Sequence, residues 1–176
     1  MTNDSFTFGT EDMFESYGIR MLHYDVLLPQ LRRRKVTIPG RSGSYDYGAK
    51  FYDDRIVRVE CDTRRSLTKA QIRELAYVLS KKNALRFWNE PELFYLGRIY
   101  DTSELDYIGS VGYEFVLNFE CDPFAYGDSV QEDVSGSFRL EYAGTAPTPT
   151  RLTITNNGDT QVSGIQIRIR ERRDTY

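Results

Sequence analysis

The residues able to do chemistry are few and scattered along the chain. Histidine occurs once, at His23, so a Ser-His-Asp or Cys-His nucleophile would rest on that single side chain. It falls inside a strand-like run, where a histidine reads as a packed or surface residue. The count rules out histidine-rich metal sites and leaves only carboxylate sites. The two thiols, Cys61 and Cys121, lie far apart and match no zinc spacing. They read as buried free thiols of a protein made in a reducing compartment. A disulfide stays open only if their strands are neighbours. Glu90 and Glu92 could form a glycosidase pair, but they flank Pro91 in a turn and read as solvated. The glycines between Pro39 and Gly48 fit neither GxGxxG nor the GxxxxGK phosphate loop, and no helix pattern follows them. The sequence therefore offers no catalytic residue, no metal ligand set and no cofactor site, and it reads as a non-enzyme.

The same glycine-bearing stretch suits a different task. Tyr45, Tyr47, Phe51 and Tyr52 place four aromatics in a loop otherwise built of Gly, Ser and charge. Loop aromatics among polar residues make a protein contact surface; the plainer alternative is that some fold back onto the core. Just before it, Arg32-Arg33-Arg34-Lys35 is a short basic run. It reads as a solvated strand edge, where charge discourages stray pairing, or as an ion-paired contact with Asp53-Asp54 of a neighbouring copy. Binding of DNA is opposed by overall charge: 23 basic against 26 acidic residues, net -3.

The elements that carry these residues are mostly strands. The chain has 176 residues, 40% hydrophobic and 14% aromatic, enough for a core without staples and too aromatic for wholesale disorder. No apolar run approaches the ~18 residues of a membrane span, and Met1–Ser5 has neither the basic nor the apolar part of a secretory signal. Strands are expected at Phe6–Phe8, Tyr17–Val26, Lys35–Ile38, Ile56–Cys61, Ala84–Trp88, Phe94–Tyr100 and Tyr113–Cys121, the last with strict alternation. One segment keeps helical period instead. Ile72, Leu75, Ala76 and Leu79 form a stripe, Thr68 and Gln71 form a capping box, and Leu67 can staple onto Ile72. Lys81 and Lys82 suit the helix end, and Asn83 the position after it, giving a helix from Thr68 to Lys82. The fold class is α+β, mainly β: an antiparallel sandwich or barrel-like domain with one amphipathic helix. A boundary falls near Tyr126. Beyond it, Phe138–Tyr142, Leu152–Ile154 and Ile165–Ile169 alternate as strands, too few to bury a core alone.

In order, these blocks resemble the phage distal tail protein family (Dit). The carriers are Ser5-Phe6-Thr7-Phe8, Tyr17-Gly18-Ile19-Arg20, Leu28-Pro29, and Ile38-Pro39-Gly40-Arg41-Ser42-Gly43-Ser44-Tyr45-Asp46. They continue in Tyr52-Asp53-Asp54-Arg55, the single helix, Asn89-Glu90-Pro91, Tyr95-Leu96-Gly97-Arg98 and Phe119-Glu120-Cys121-Asp122-Pro123-Phe124-Ala125-Tyr126. No single block is decisive; their order over roughly residues 5 to 126 carries the likeness.

The resemblance implies a ring-forming domain over 1–126 and, over 127–176, a β-rich segment like a truncated or reduced galectin-like domain. It implies a virion structural protein: a homohexameric ring at the distal end of a phage tail, assembled in the cytoplasm of the bacterial host. The ring would join the tail tube protein to a tail-associated lysin or tail fibre protein and anchor receptor-binding or baseplate proteins. DNA would pass its central channel without specific binding, and no membrane is involved. A ring needs heterologous contacts, and the expected contact residues are Arg33, Arg34, Gly40, Arg41, Tyr45, Asp46, Tyr47, Tyr52, Asp53 and Asp54. The competing reading is a carbohydrate-binding module of a tail tip, which the tyrosines and the β-rich class allow.

Overall fold

The structure, a computed structural model, describes residues 5–48, 51–63, 65–102, 106–108, 112–136, 138–139, 142 and 144–167. The elements run in chain order. They are β1 (Phe6–Phe8), β2 (Glu11–Asp12), α1 (Met13–Tyr17), β3 (Ile19–Val26), β4 (Lys35–Thr37) and β5 (Ser44–Asp46), then β6 (Arg55–Thr63), α2 (Lys69–Ser80), β7 (Asn83–Phe87), β8 (Leu93–Thr102), β9 (Asp106–Ile108) and β10 (Gly112–Gly127). One antiparallel sheet has the order β2-β1-β7-β8-β10-β6-β3, with β9 also on β10; β4 and β5 form a separate ribbon. The mainly β class read from the sequence holds.

The sheet curls strongly. Tyr24 of β3 stacks on Phe87 of β7 with ring centroids 3.8 Å apart, although four strand spacings of ~4.8 Å separate β3 from β7 along the sheet. Phe8 of β1 likewise lies 5.3 Å from Phe119 of β10. Twist and bulges bring the two ends together, which is the sandwich-like closure. The core lies inside the curl: Phe6, Phe8, Val57, Val59, Cys61, Leu85, Phe87, Phe115, Leu117, Phe119 and Cys121 alternate inward from four strands. Gly97 has no side chain for a reason. A Cβ there would stand 2.4 Å from Cys121 Sγ and 2.8 Å from the Glu120 carbonyl oxygen.

The amphipathic helix forms as its cap dictates. Thr68 Oγ1 accepts from Gln71 N at 3.2 Å, and Gln71 Oε1 accepts from Thr68 N at 3.0 Å. Leu75 and Leu79 are buried, while Ile72 and Ala76 are exposed, so the inward stripe is narrower than the pattern suggested. The helix stops at Ser80, earlier than expected, because Lys81 turns extended and Asn83 opens β7. The two lysines find side-chain partners: Lys81 lies over the Tyr77 ring, and Lys82 reaches Asp122 at 2.5 Å.

A second helix, α1, was not legible. Asp12 caps it, accepting from Phe14 N at 2.9 Å and Glu15 N at 3.3 Å, and Gly18 ends it at φ 70. Five residues are too few for a helical stripe, so Tyr17 belongs to the helix end, and the strand expected from it begins at Ile19.

Contacts divide the chain into Met1–Gly136 and Ser137–Tyr176. In the second unit, Leu152–Ile154 and Ile165–Ile167 are exposed and form no strand, unlike the expectation, and no strand occurs among the described residues after Gly127. Alternation marks a face, but a strand needs a partner ladder. Residues 140, 141, 168 and 169 of the expected strands lie outside the described residues. In this unit Tyr142 Oη donates to the Ala146 carbonyl oxygen at 2.6 Å.

Candidate subunit interface

Between β3 and β6 the chain leaves the sheet and returns. The two strands pair as far as Val26 and Val57, and the pairing continues outward. Leu27 N donates to Ile56 O, Asp53 N to Gln30 O, and Arg32 N to Phe51 O, at 2.8–3.1 Å. Leu31 bridges Tyr52, Tyr47 N donates to Arg34 O at 3.0 Å, and β4 then pairs with β5. Arg41 N donates to Ile38 O at 3.2 Å across the tip, where Gly40 and Gly43 hold φ of 79 and 84, a conformation that favours glycine. What the sequence suggested as a turn-rich loop is thus the returning limb of a two-stranded arm.

Alternation gives the arm two unlike faces. Val36 pairs with Tyr45, the Tyr45 and Tyr47 rings meet edge-on at 5.0 Å, and the Arg34 guanidinium lies over Tyr47 at 5.8 Å. Lys35 pairs with Asp46 and Thr37 with Ser44, which forms a polar second face. Three of the four aromatics stay out in solvent, Tyr45 at 47% exposed, Tyr47 at 65% and Phe51 at 70%, while Tyr52 turns back onto Phe124. An isolated hairpin is marginal in water, and exposed aromatic faces of this kind mark a surface made to be covered.

The residues expected at an interface fall along this arm. Arg33 and Arg34 lie on the outgoing limb, Gly40 and Arg41 at the tip, and Tyr45, Asp46 and Tyr47 on the return. Tyr52, Asp53 and Asp54 form its base. Tyr52 meets Phe124 edge-on at 5.6 Å, and Asp53 holds Arg32 of its own chain at 2.7 Å. Asp54 lines a depression of about 170 Å³ with Lys82, Arg98, Glu120, Cys121 and Asp122, smaller than the ~300 Å³ of the smallest usual ligand pockets. Leu28, Val36 and Ile38, which the sequence reading did not single out, are also exposed along the arm, and Arg34-Val36-Ile38 alternates opposite Tyr45-Tyr47.

The chemistry-capable residues do not converge. His23 is exposed with Nε2 3.1 Å from Asp25 Oδ1, and Glu90 and Glu92 are exposed in the turn after β7. Cys61 and Cys121 do lie on adjacent strands, but Cys61 faces Phe115 and Cys121 faces Arg55. Six residues of ladder separate them, and both are free. Burial pushes Cys61 far up and Cys121 up to about 12, so both are protonated and inert near neutrality. Among the described residues no three His, Cys, Asp or Glu side chains group as a metal site requires. No helix among them is long and apolar enough to cross a membrane.

The curled antiparallel sheet with its two capped helices has a counterpart among solved phage proteins. The chain superposes on the crystal structure of the SPP1 Dit (gp 19.1) protein, which is described as a paradigm of the hub adsorption apparatus in phages infecting Gram-positive bacteria. The TM-score is 0.58 at 22% identity, covering 70% of this chain and 52% of that one. The chain therefore spans about half the length of that protein, and the likeness read from the sequence holds at the level of fold. No protein-family model and no curated protein sequence matches the chain.

Proposed function

We propose that this chain is a structural hub protein of a phage tail tip, assembled as a closed hexameric ring through its β-arm. The observation that carries the reading is the arm: a ribbon with one aromatic face, which leaves the sheet and covers none of its own core. Its outgoing limb from Val26 to Ile38 can reach ~40 Å at ~3.3 Å per residue. A domain of roughly 110–130 residues is about 35 Å across, so the arm is long enough to lie across a neighbour. The arm and the surface that receives it are different parts of the molecule. Repetition of that contact gives a heterologous assembly, closed when the rotation per subunit divides a full turn.

In this role the ring would join the tail tube protein to the lysin or fibre protein, present a platform to receptor-binding proteins, and let DNA through its centre. Net charge of -3 suits such a passage, since like charge keeps the duplex from adhering. No reaction is assigned to the chain. The test is sedimentation velocity with negative-stain microscopy of the full chain, alone and with its tail tube protein. Annular particles with six-fold symmetry are expected, and the chain should be found at the tail tip of purified virions. A chain that remains monomeric in both settings and is absent from virions would end the proposal.

A further inference from the structure

The charge of the arm is opposite to that of the body. Residues 27–54 carry six basic and three acidic side chains, and the rest of the chain carries 17 basic and 23 acidic. A basic ribbon with an aromatic face needs an acidic, partly apolar seat. The outer face of the β8-β10-β6-β3 sheet has that character. Register fixes which residues point there. Asn118 sits between buried Leu117 and Phe119, and it pairs with Asp101 on one side and Arg58 on the other, which in turn pairs with Asp25. Glu114, two rows along, pairs with Asp62.

The arginines of this face are already answered by neighbours. Arg20 holds Asp62 through two nitrogens, Arg58 meets Glu60 at 3.0 Å, and Arg98 meets Glu120 at 3.6 Å. Asp101 and Glu114, both exposed, are left without a cation among the described residues, and Asp25 has only His23. Half-exposed Leu22 and partly buried Ile56 and Val116 supply apolar surface between them. Among the other exposed apolar residues of the body, Ile72 and Tyr77 on α2 stand with Lys69, Arg73 and Lys81 against Glu74, a setting that would repel a basic arm.

We infer that the arm of one copy seats on the outer face of the β8-β10-β6-β3 sheet of the next, with Arg33 and Arg34 toward Asp101 and Glu114. The inference rests on the reading of the chain as a ring-forming hub and names the receiving half of its contact. A heterologous contact permits a charge swap. The arm variant R33E/R34E and the face variant D101K/E114K should each associate on the order of 100-fold more weakly than wild type, because like charges now face each other. An equimolar mixture should recover association, because each reversed arm then meets a reversed face and alternating copies close an even-numbered ring. Recovery cannot come from misfolded chains. If the face variant assembles like wild type while the arm variant fails, the arm docks elsewhere: this inference falls and the hub reading stands. Two impaired variants whose mixture stays dispersed also overturn it. A wild-type chain that forms no ring removes the hub reading itself.

Discussion

Replacing Tyr45 and Tyr47 together by alanine separates a contact surface from a structural one. A tyrosine buries roughly 150–250 Å² when fully enclosed. With 47% and 65% of these two still exposed, covering them would bury roughly 100 Å² more on each. At about 25 cal/mol per Å² that is ~2.5 kcal/mol per residue and ~5 kcal/mol for the pair. Ordering and docking costs absorb part of it, so a 10²- to 10³-fold loss of association is a fair expectation, on the order of 3–4 kcal/mol. In the lone chain the loss is small. The edge-on contact between the two rings, 5.0 Å apart, is worth about 1 kcal/mol, and it stabilises the arm against local opening rather than the core against unfolding. The melting temperature should hold within about 2 °C. Sedimentation velocity over a concentration series, beside differential scanning fluorimetry, reads both quantities. Unchanged association would refute the assignment of this face to a contact. A melting temperature lowered by ~10 °C with association intact would make the tyrosines part of the fold's own packing.

Other outcomes follow from the fold. Gly97→Ala should cost about 1–3 kcal/mol, read as a lower urea midpoint, because its Cβ would strike Cys121 Sγ and the Glu120 carbonyl; adding Cys121→Ala should return part of the loss. Asp12→Ala should cost about 1–2 kcal/mol, since it strips the cap of α1 and the 2.5 Å bond from buried Ser5, while Asp12→Asn should keep most of the stability. Neither thiol should react with a disulfide reagent at pH 8 until the chain unfolds. Their raised values also set a direction with pH: stabilisation is complete below about pH 8.5, the ordinary thiol value, and declines as pH rises toward 12. Tyr17, Tyr95 and Tyr126, raised chiefly by burial, add to that alkaline loss, so a C61A/C121A variant should melt with a shallower dependence on pH above 9 but not a flat one.

Local rules made some of this molecule legible in advance. The alternation over Phe115–Cys121, the box formed by Thr68 and Gln71, and the turn glycines at Gly40 and Gly43 each depend on a few neighbouring residues, and each forms as read. The lack of a second histidine was likewise plain from composition. Where the reading fell short, the deciding partner lay far away along the chain. Alternation in Leu152–Ile154 defines a face but supplies no ladder, so no strand results. The separation of Cys61 from Cys121 follows from the register of β6 on β10, which no count of residues between them contains. The arm is the clearest case. Its aromatics and arginines were visible as residue types, but their sharing of one face came from the pairing of Val36 with Tyr45 across a hairpin. Their exposure came from the curl of the sheet, which closes the core elsewhere and leaves the ribbon uncovered. A sequence carries the period of a strand; only the assembled chain decides which surface that strand meets, because register and curvature are sums over contacts between distant segments.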